Sequence, residues 1–274
     1  AQPGGPHHGR RLQAPVNFHN RTLEDWQAAH LYRQNPGLGA DPRTYCPTCL
    51  KAGTYTWGGQ THECDCYAQL NMHKHYLWAG IGTTFQRLDW SDYHGDPEAL
   101  RISRRYLEED LHRRGVGLFF MGQFGTGKTM LHNLILKDLV KAGISCFATT
   151  FDSMMSLSTG GDPVEREAFF WRVKNSQALL LDDVGKSMRA SAAARNFHES
   201  TFDEILRPRV HNGLATLVNS NMNEEEIKEG YGAGILSLLR RNAISYTFTG
   251  TDFGPEAATR TTEELLRGEI RPIC

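Results

Sequence analysis

Beyond residue 115 the chain alternates two hydrophobic patterns. Short apolar runs at 116–121, 144–150, 177–182, 214–220 and 243–249 have the length and composition of buried strands. Between and after them, residues 128–142, 164–175, 193–212, 223–229 and 233–241 repeat apolar positions at helical spacing. Apolar extended segments alternating with helices predict an α/β fold, a mainly parallel five-stranded sheet covered by helices on both faces. Ligand sites in such folds lie past the carboxyl ends of the strands, which directs attention to the polar residues there.

Upstream the pattern is weaker. Residues 1–22, with Gly4-Gly5-Pro6-His7-His8-Gly9, show little periodicity and read as a flexible tail; 23–33 reads as a short helix before the breakers Pro36, Gly37, Gly39 and Pro42. A helix is expected over 68–78, stopped by Gly80 and Gly82. An aromatic connector with Phe85, Leu88, Trp90 and Tyr93 follows, read as docking a linker onto the domain, and Pro97 starts a helix running to about Arg114. The expected organisation is a tail and short helix at 1–44, a small module at 45–80, a linker and helix at 81–114, the large domain at 115–252 and a C-terminal tail at 253–274.

The chain's 274 residues leave room for one large α/β domain and one small module. With 30 basic against 31 acidic residues, composition does not announce a nucleic-acid binder, and any such role falls to local patches. No apolar run approaches a membrane span and no N-terminal signal pattern is seen, so a cytoplasmic setting without membrane contact is expected. Four of the six cysteines lie between positions 46 and 66, a clustering that in a cytosolic protein reads as metal ligation ahead of disulfides. Cys46 and Cys49 are separated from Cys64 and Cys66 by a stretch in which Tyr55-Thr56-Trp57 precedes Gly58-Gly59, suited to a strand entering a tight turn. Four thiolates fit tetrahedral Zn²⁺ in a structural role, and they leave no open position for catalysis. A set in which His62, His73 or His75 replaces one thiolate, or four free thiols, stays open at this point.

The sharpest chemistry is Gly122-Gln123-Phe124-Gly125-Thr126-Gly127-Lys128-Thr129, followed by Met130, between an expected strand and an expected helix. It satisfies G-x-x-x-x-G-K-[ST] in the required context. Such a loop turns backbone N–H groups around phosphate oxygens, its lysine reaches the β/γ-phosphates, and its hydroxyl ligates Mg²⁺. An ATP site with Mg²⁺ is therefore expected. The apolar run ending in Asp182-Asp183 supplies a carboxylate for Mg²⁺, Asp182, and one to polarise an attacking water, Asp183. The run Thr216-Leu217-Val218-Asn219-Ser220-Asn221 ends in an amide able to orient a water, read as Asn221.

On these motifs the chain resembles the AAA+ ATPases that load replicative DNA helicases, the DnaC and DnaI type, and is similar to the helper ATPases of insertion-sequence transposases. Residues 122–129 match the Walker A loop, 179–183 the Walker B strand and 216–221 the sensor-I strand; the resemblance runs over roughly residues 85–252. The cysteine pairs match the zinc module of DnaI-type loaders, which tilts the choice toward a loader. The resemblance implies an ATP-dependent protein that binds a hexameric replicative helicase through its N-terminal region, contacts single-stranded DNA and self-associates through ATP-bridged interfaces, in a bacterial or phage-infected cell. Alternatives are a transposase helper and a largely non-hydrolysing ATP-binding adaptor.

Lys186, Arg189 and Arg195, just past Walker B, resemble the DNA-contacting site of these ATPases. Two departures stand out. Asp183 replaces the usual glutamate, and Leu238 occupies the position of the family's arginine finger, so that Arg240 or Arg241, or else Arg209, would have to serve a neighbour's nucleotide.

Overall fold

The computed structural model describes residues 54–63, 65–185, 192–266 and 273–274. An antiparallel hairpin, β1 (Thr54–Trp57) and β2 (Gln60–Glu63), turns at Gly58 and Gly59, both at positive φ. Helix α1 (Asp65–Trp78) follows, then a connector containing one helical turn at Thr83–Gln86, and α2 (Pro97–Glu108). Asp96 starts α2 by accepting hydrogen bonds from the N–H groups of Glu98 and Ala99, with Pro97 in the first turn. The helix expected to reach Arg114 stops at Glu108; Asp110 takes a left-handed φ of 50° and a 3₁₀ turn covers Leu111–Arg114.

The large domain contains β3 (Gly117–Gly122), α3 (Lys128–Lys141), β4 (Cys146–Thr150), α4 (Phe151–Thr159) and α5 (Pro163–Asn175). It continues with β5 (Ala178–Val184), α6 (Ala192–His211), β6 (Ala215–Ser220), α7 (Glu224–Asn242) and β7 (Ala243–Phe248). All five strands are parallel, in the order β4-β5-β6-β3-β7. Alternate side chains feed two cores. Leu118, Phe120, Leu180 and Leu217 meet Leu131, Leu134 and Ile135 of α3 on one face; Phe119, Leu179, Leu181 and Val218 meet Phe202 of α6 and Tyr231 of α7 on the other.

Helix α4 was not among the expected elements; Thr150 caps it by accepting from the Ser153 N–H, and Met154 and Met155 are buried. The two helices expected at 223–229 and 233–241 form one element broken at Gly232, whose φ of 81° is non-helical. A Cβ at Gly232 would stand 2.2 Å from Glu199 Oε1.

Past residue 252, where a tail was expected, the chain forms α8 (Gly254–Leu266). Ile273 is buried, exchanging hydrogen bonds with Gln69 of α1, and the Cys274 carbonyl accepts from Tyr76. The cysteine reading falls mostly outside the described residues: Cys46, Cys49 and Cys64 lie beyond them, as does the side chain of Cys66. Among the described residues no group of three or more His, Cys, Asp or Glu is placed to hold a metal ion. No described helix is long and apolar enough to cross a membrane.

Candidate functional site

The loop between β3 and α3 is held in its shape by glycines. Gly122, Gly125 and Gly127 have φ of 128°, 72° and 91°, and Cβ atoms at Gly125 and Gly127 would stand 1.7 Å from Asp252 Oδ1 and 2.7 Å from Tyr93 Cε2. Inside this turn the Lys128 ammonium donates to the carbonyls of Gly122 (2.7 Å) and Gln123 (2.6 Å) and to Thr126 Oγ1 (3.3 Å). Burial lowers the Lys128 pKa, and the carboxylates of Asp182 and Asp183 oppose that shift.

Strand β6 lies between the loop strand β3 and the acidic strand β5, so its carboxyl end faces both. Thr129 Oγ1 donates to Asp182 Oδ1 at 3.1 Å, Asn219 Nδ2 donates to the same oxygen at 2.9 Å, and the Asp183 N–H does so at 3.1 Å. Burial raises the Asp182 pKa; the Asn219 hydrogen bond is the largest opposing influence, Asp183 reinforces the rise, and Thr129 and the Asp183 N–H counter it. The β5–β6 register shifts between Leu181 and Val184, and within that irregularity Asp183 takes a φ of 56°. A bulge of this kind at a strand end re-aims side chains.

These groups border a cavity of about 550 Å³, within the range of small-molecule sites. Its walls include residues 124–130, Asp182, Asp183 and residues 219–221, together with Phe85, Arg87 and Leu88 from the connector and Phe253, Gly254 and Ala257 at the start of α8. Gly122 and Gln123 contribute carbonyls to Lys128 without lining the cavity.

Asn221 does line it, yet the amide bonded to Asp182 is that of Asn219, which the sequence reading passed over. The available signal was a polar residue inside a strand otherwise expected to be buried, since such a group needs a partner. The connector and α8 residues were missed because they are distant in sequence from every motif. Lys137 ties the connector down: its ammonium, almost fully buried, donates to the carbonyls of Phe85 (3.1 Å), Gln86 (3.2 Å) and Leu88.

Arg209 is excluded as a residue that reaches a neighbour's nucleotide. It is completely buried, and its guanidinium donates to Thr216 Oγ1 and to the carbonyls of Val173, Ser176 and Ala215. Arg240 and Arg241 are exposed at the end of α7 and do not line the cavity; Arg240 pairs with Glu224. Leu238 is buried. Lys186 and Arg189 lie outside the described residues, as does the side chain of Arg195, which belongs to α6.

The donor set fits Mg²⁺. A hydroxyl and a carboxylate oxygen, both hard ligands of the kind Mg²⁺ takes, meet at 3.1 Å in the cavity that the loop lysine also lines. A glycine-rich loop on one parallel strand, a carboxylate on another and an amide on the strand between them define an AAA+-like core.

The chain is a remote relative of the DnaC/DnaI-like AAA+ helicase-loader family. It is 25% identical over 158 residues to "Replicative helicase loader DnaI" of Bacillus subtilis (strain 168), covering 55% of this chain and 48% of that protein. The match therefore spans about half the length of that relative. To "Replicative helicase loader DnaC" of Buchnera aphidicola subsp. Acyrthosiphon pisum (strain APS) it is 22% identical over 179 residues, 62% of this chain and 70% of that protein. No family model matches the chain.

Among solved structures, "Crystal Structure of the DnaI" superposes with a TM-score of 0.52 at 25% identity, covering 61% of this chain and 94% of the other. "Crystal structure of the DnaC helicase loader" gives a TM-score of 0.53 at 22% identity, covering 61% and 100%, a likeness of fold.

Proposed function

We propose that this protein is an ATP-dependent loader that binds a replicative DNA helicase and places it on single-stranded DNA. The observation that carries the reading is the convergence of Lys128, Thr129, Asp182 and Asn219 on one cavity of an AAA+-like core. The remote likeness to proteins named as helicase loaders supplies the partner class.

In this reading residues 122–130 hold the triphosphate, with backbone N–H groups and Lys128 against its oxygens. Thr129 and Asp182 hold Mg²⁺, which when bound neutralises charge on the β- and γ-phosphate oxygens. Asp183 polarises the attacking water, and Asn221, which lines the cavity, orients it. Phe85, Leu88, Phe253 and Ala257 give the cavity an apolar wall suited to a nucleobase.

Arg240 or Arg241 serves the nucleotide of a neighbouring subunit, so that ATP bridges copies of the chain. Lys186, Arg189 and Arg195 contact the strand's phosphates, and an assembly of subunits multiplies that weak contact. Cys46, Cys49, Cys64 and Cys66 hold a structural Zn²⁺ in the helicase-binding module. The hairpin β1–β2 between the two pairs is the element that would bring them together, and four thiolates are the donor set zinc prefers.

The test mixes the purified full chain with candidate replicative helicases, with ATP or ADP, and measures complex mass, alongside Lys128→Ala. A loader forms a nucleotide-dependent complex with a ring helicase, and Lys128→Ala loses ATP affinity. Absence of ATP binding by the wild-type protein, or unchanged affinity in Lys128→Ala, would refute the proposal. A slowly hydrolysing adaptor is the second reading, favoured by aspartate at position 183, one methylene shorter than the glutamate of the family it resembles. Turnover insensitive to single-stranded DNA and to Asp183→Asn would select it.

A further inference from the structure

Helix α3 carries a histidine that the chemistry above does not use. His132, three residues past Thr129, is fully buried, and its ring stacks on Phe120 with centroids 4.3 Å apart and 8° between the planes. Phe120 on β3 is the register partner of Asn219 on β6, and Asn219 hydrogen-bonds Asp182 on β5. Phe120, Asn219 and Asp182 thus form a row across three adjoining strands, with His132 stacked over its Phe120 end and interacting with the Asn219 side chain.

Among the described residues neither ring nitrogen of His132 has a well-formed hydrogen bond, and neither has Asn219 Oδ1, although all three atoms are buried. A buried donor and a buried acceptor left open are each costly, and pairing one with the other relieves both. Burial pushes the His132 pKa down to about 3, with the Asn219 side chain opposing the shift, so the ring is neutral and carries one N–H.

We propose that His132 is a positioning residue of the nucleotide site: its imidazole N–H donates to Asn219 Oδ1 and so fixes the amide with its NH₂ toward Asp182. Without that donor the amide is free to turn its oxygen toward the carboxylate, and the 2.9 Å hydrogen bond from Asn219 Nδ2 that orients Asp182 is lost. His132 acts through Asn219 and touches neither nucleotide nor metal. The inference rests on the ATPase reading.

The experiment compares wild type, His132→Phe, Asn219→Ala and the double variant. Phenylalanine keeps a ring against Phe120 and removes the N–H. Expected for His132→Phe are at least tenfold slower ATP turnover, a severalfold higher half-saturating Mg²⁺ concentration and nucleotide affinity within twofold of wild type. The double variant should be no slower than Asn219→Ala. Unchanged turnover and Mg²⁺ dependence, or losses that multiply in the double variant, would overturn the proposal.

A second readout does not depend on activity. In ¹⁵N-labelled protein the imidazole N–H of His132 should be slow to exchange and should lose that protection in Asn219→Ala; identical protection in both proteins overturns the pairing. A wild-type protein that hydrolyses nothing refutes the ATPase reading, and the exchange measurement still decides the pairing.

Discussion

Replacing Arg209 with methionine separates a structural arginine from a catalytic one. The side chain is entirely buried between α6, the end of α5 and the start of β6, and it satisfies Thr216 Oγ1 at 2.9 Å and the carbonyls of Val173, Ser176 and Ala215 at 2.8, 2.9 and 2.5 Å. Burial lowers its pKa to about 9, which leaves it charged at neutral pH. Methionine fills most of the volume and donates nothing.

At about 1 kcal/mol for each of the four lost bonds, the cost is roughly 4 kcal/mol. For a domain of this size each kcal/mol moves Tm by about 2–4 °C, so Tm should fall by roughly 8–16 °C. The assay is thermal unfolding followed by circular dichroism, with ATP turnover measured well below the lowered Tm. Arg209→Met should be much less stable but retain most of its turnover. A variant as stable as wild type that has lost turnover would refute the assignment of Arg209 to the frame of the fold.

Gly127→Ala places a Cβ 2.7 Å from Tyr93 Cε2 at a φ of 91°, and should lower nucleotide affinity at least tenfold in a fluorescent-nucleotide titration. Lys137→Met frees the carbonyls of Phe85, Gln86 and Leu88 and should loosen the connector wall of the cavity, weakening nucleotide binding severalfold in the same titration while hydrolysis at saturation changes little. The pH dependence of stability should carry the mark of buried histidines. Burial lowers the pKa of His132 from 6.5 to about 3 and also lowers that of His73, where the Gln86 hydrogen bond opposes it. Above pH 6.5 both forms of the chain hold these rings neutral; below it the unfolded chain takes up protons that the folded chain refuses, so stability falls as pH drops, by at most about 1.4 kcal/mol per pH unit for each ring. Denaturant titrations from pH 7 to pH 4 should show this decline, and His132→Phe should make it shallower.

Much of the core was legible because its signals are local. The five strands were visible as apolar runs, and the loop at 122–129 carries its glycines and lysine in one uninterrupted motif. Helix α5 was visible as apolar positions at helical spacing over residues 164–175, and the structure adds the Asp162 cap and the first-turn Pro163. Helix α4 was hidden because its nine residues are too few for a periodic signal to separate from the preceding strand. Arg209 illustrates the opposite failure: an arginine before a strand reads as a candidate for a neighbour's nucleotide until the three carbonyls and one hydroxyl around it are seen.

The sequence by itself determined the parallel α/β core, the glycine-rich loop after its first strand and the carboxylate pair at the end of another, since each depends on residue type at fixed short spacing. Only the tertiary structure decided that Asn219 is the amide on Asp182 and that the connector and the start of α8 complete the cavity. It alone also removed Arg209 from the chemistry. Strand order is the reason. Inserting β6 between β3 and β5 brings together residues far apart along the chain, and no local pattern of apolar and polar positions encodes which strands become neighbours.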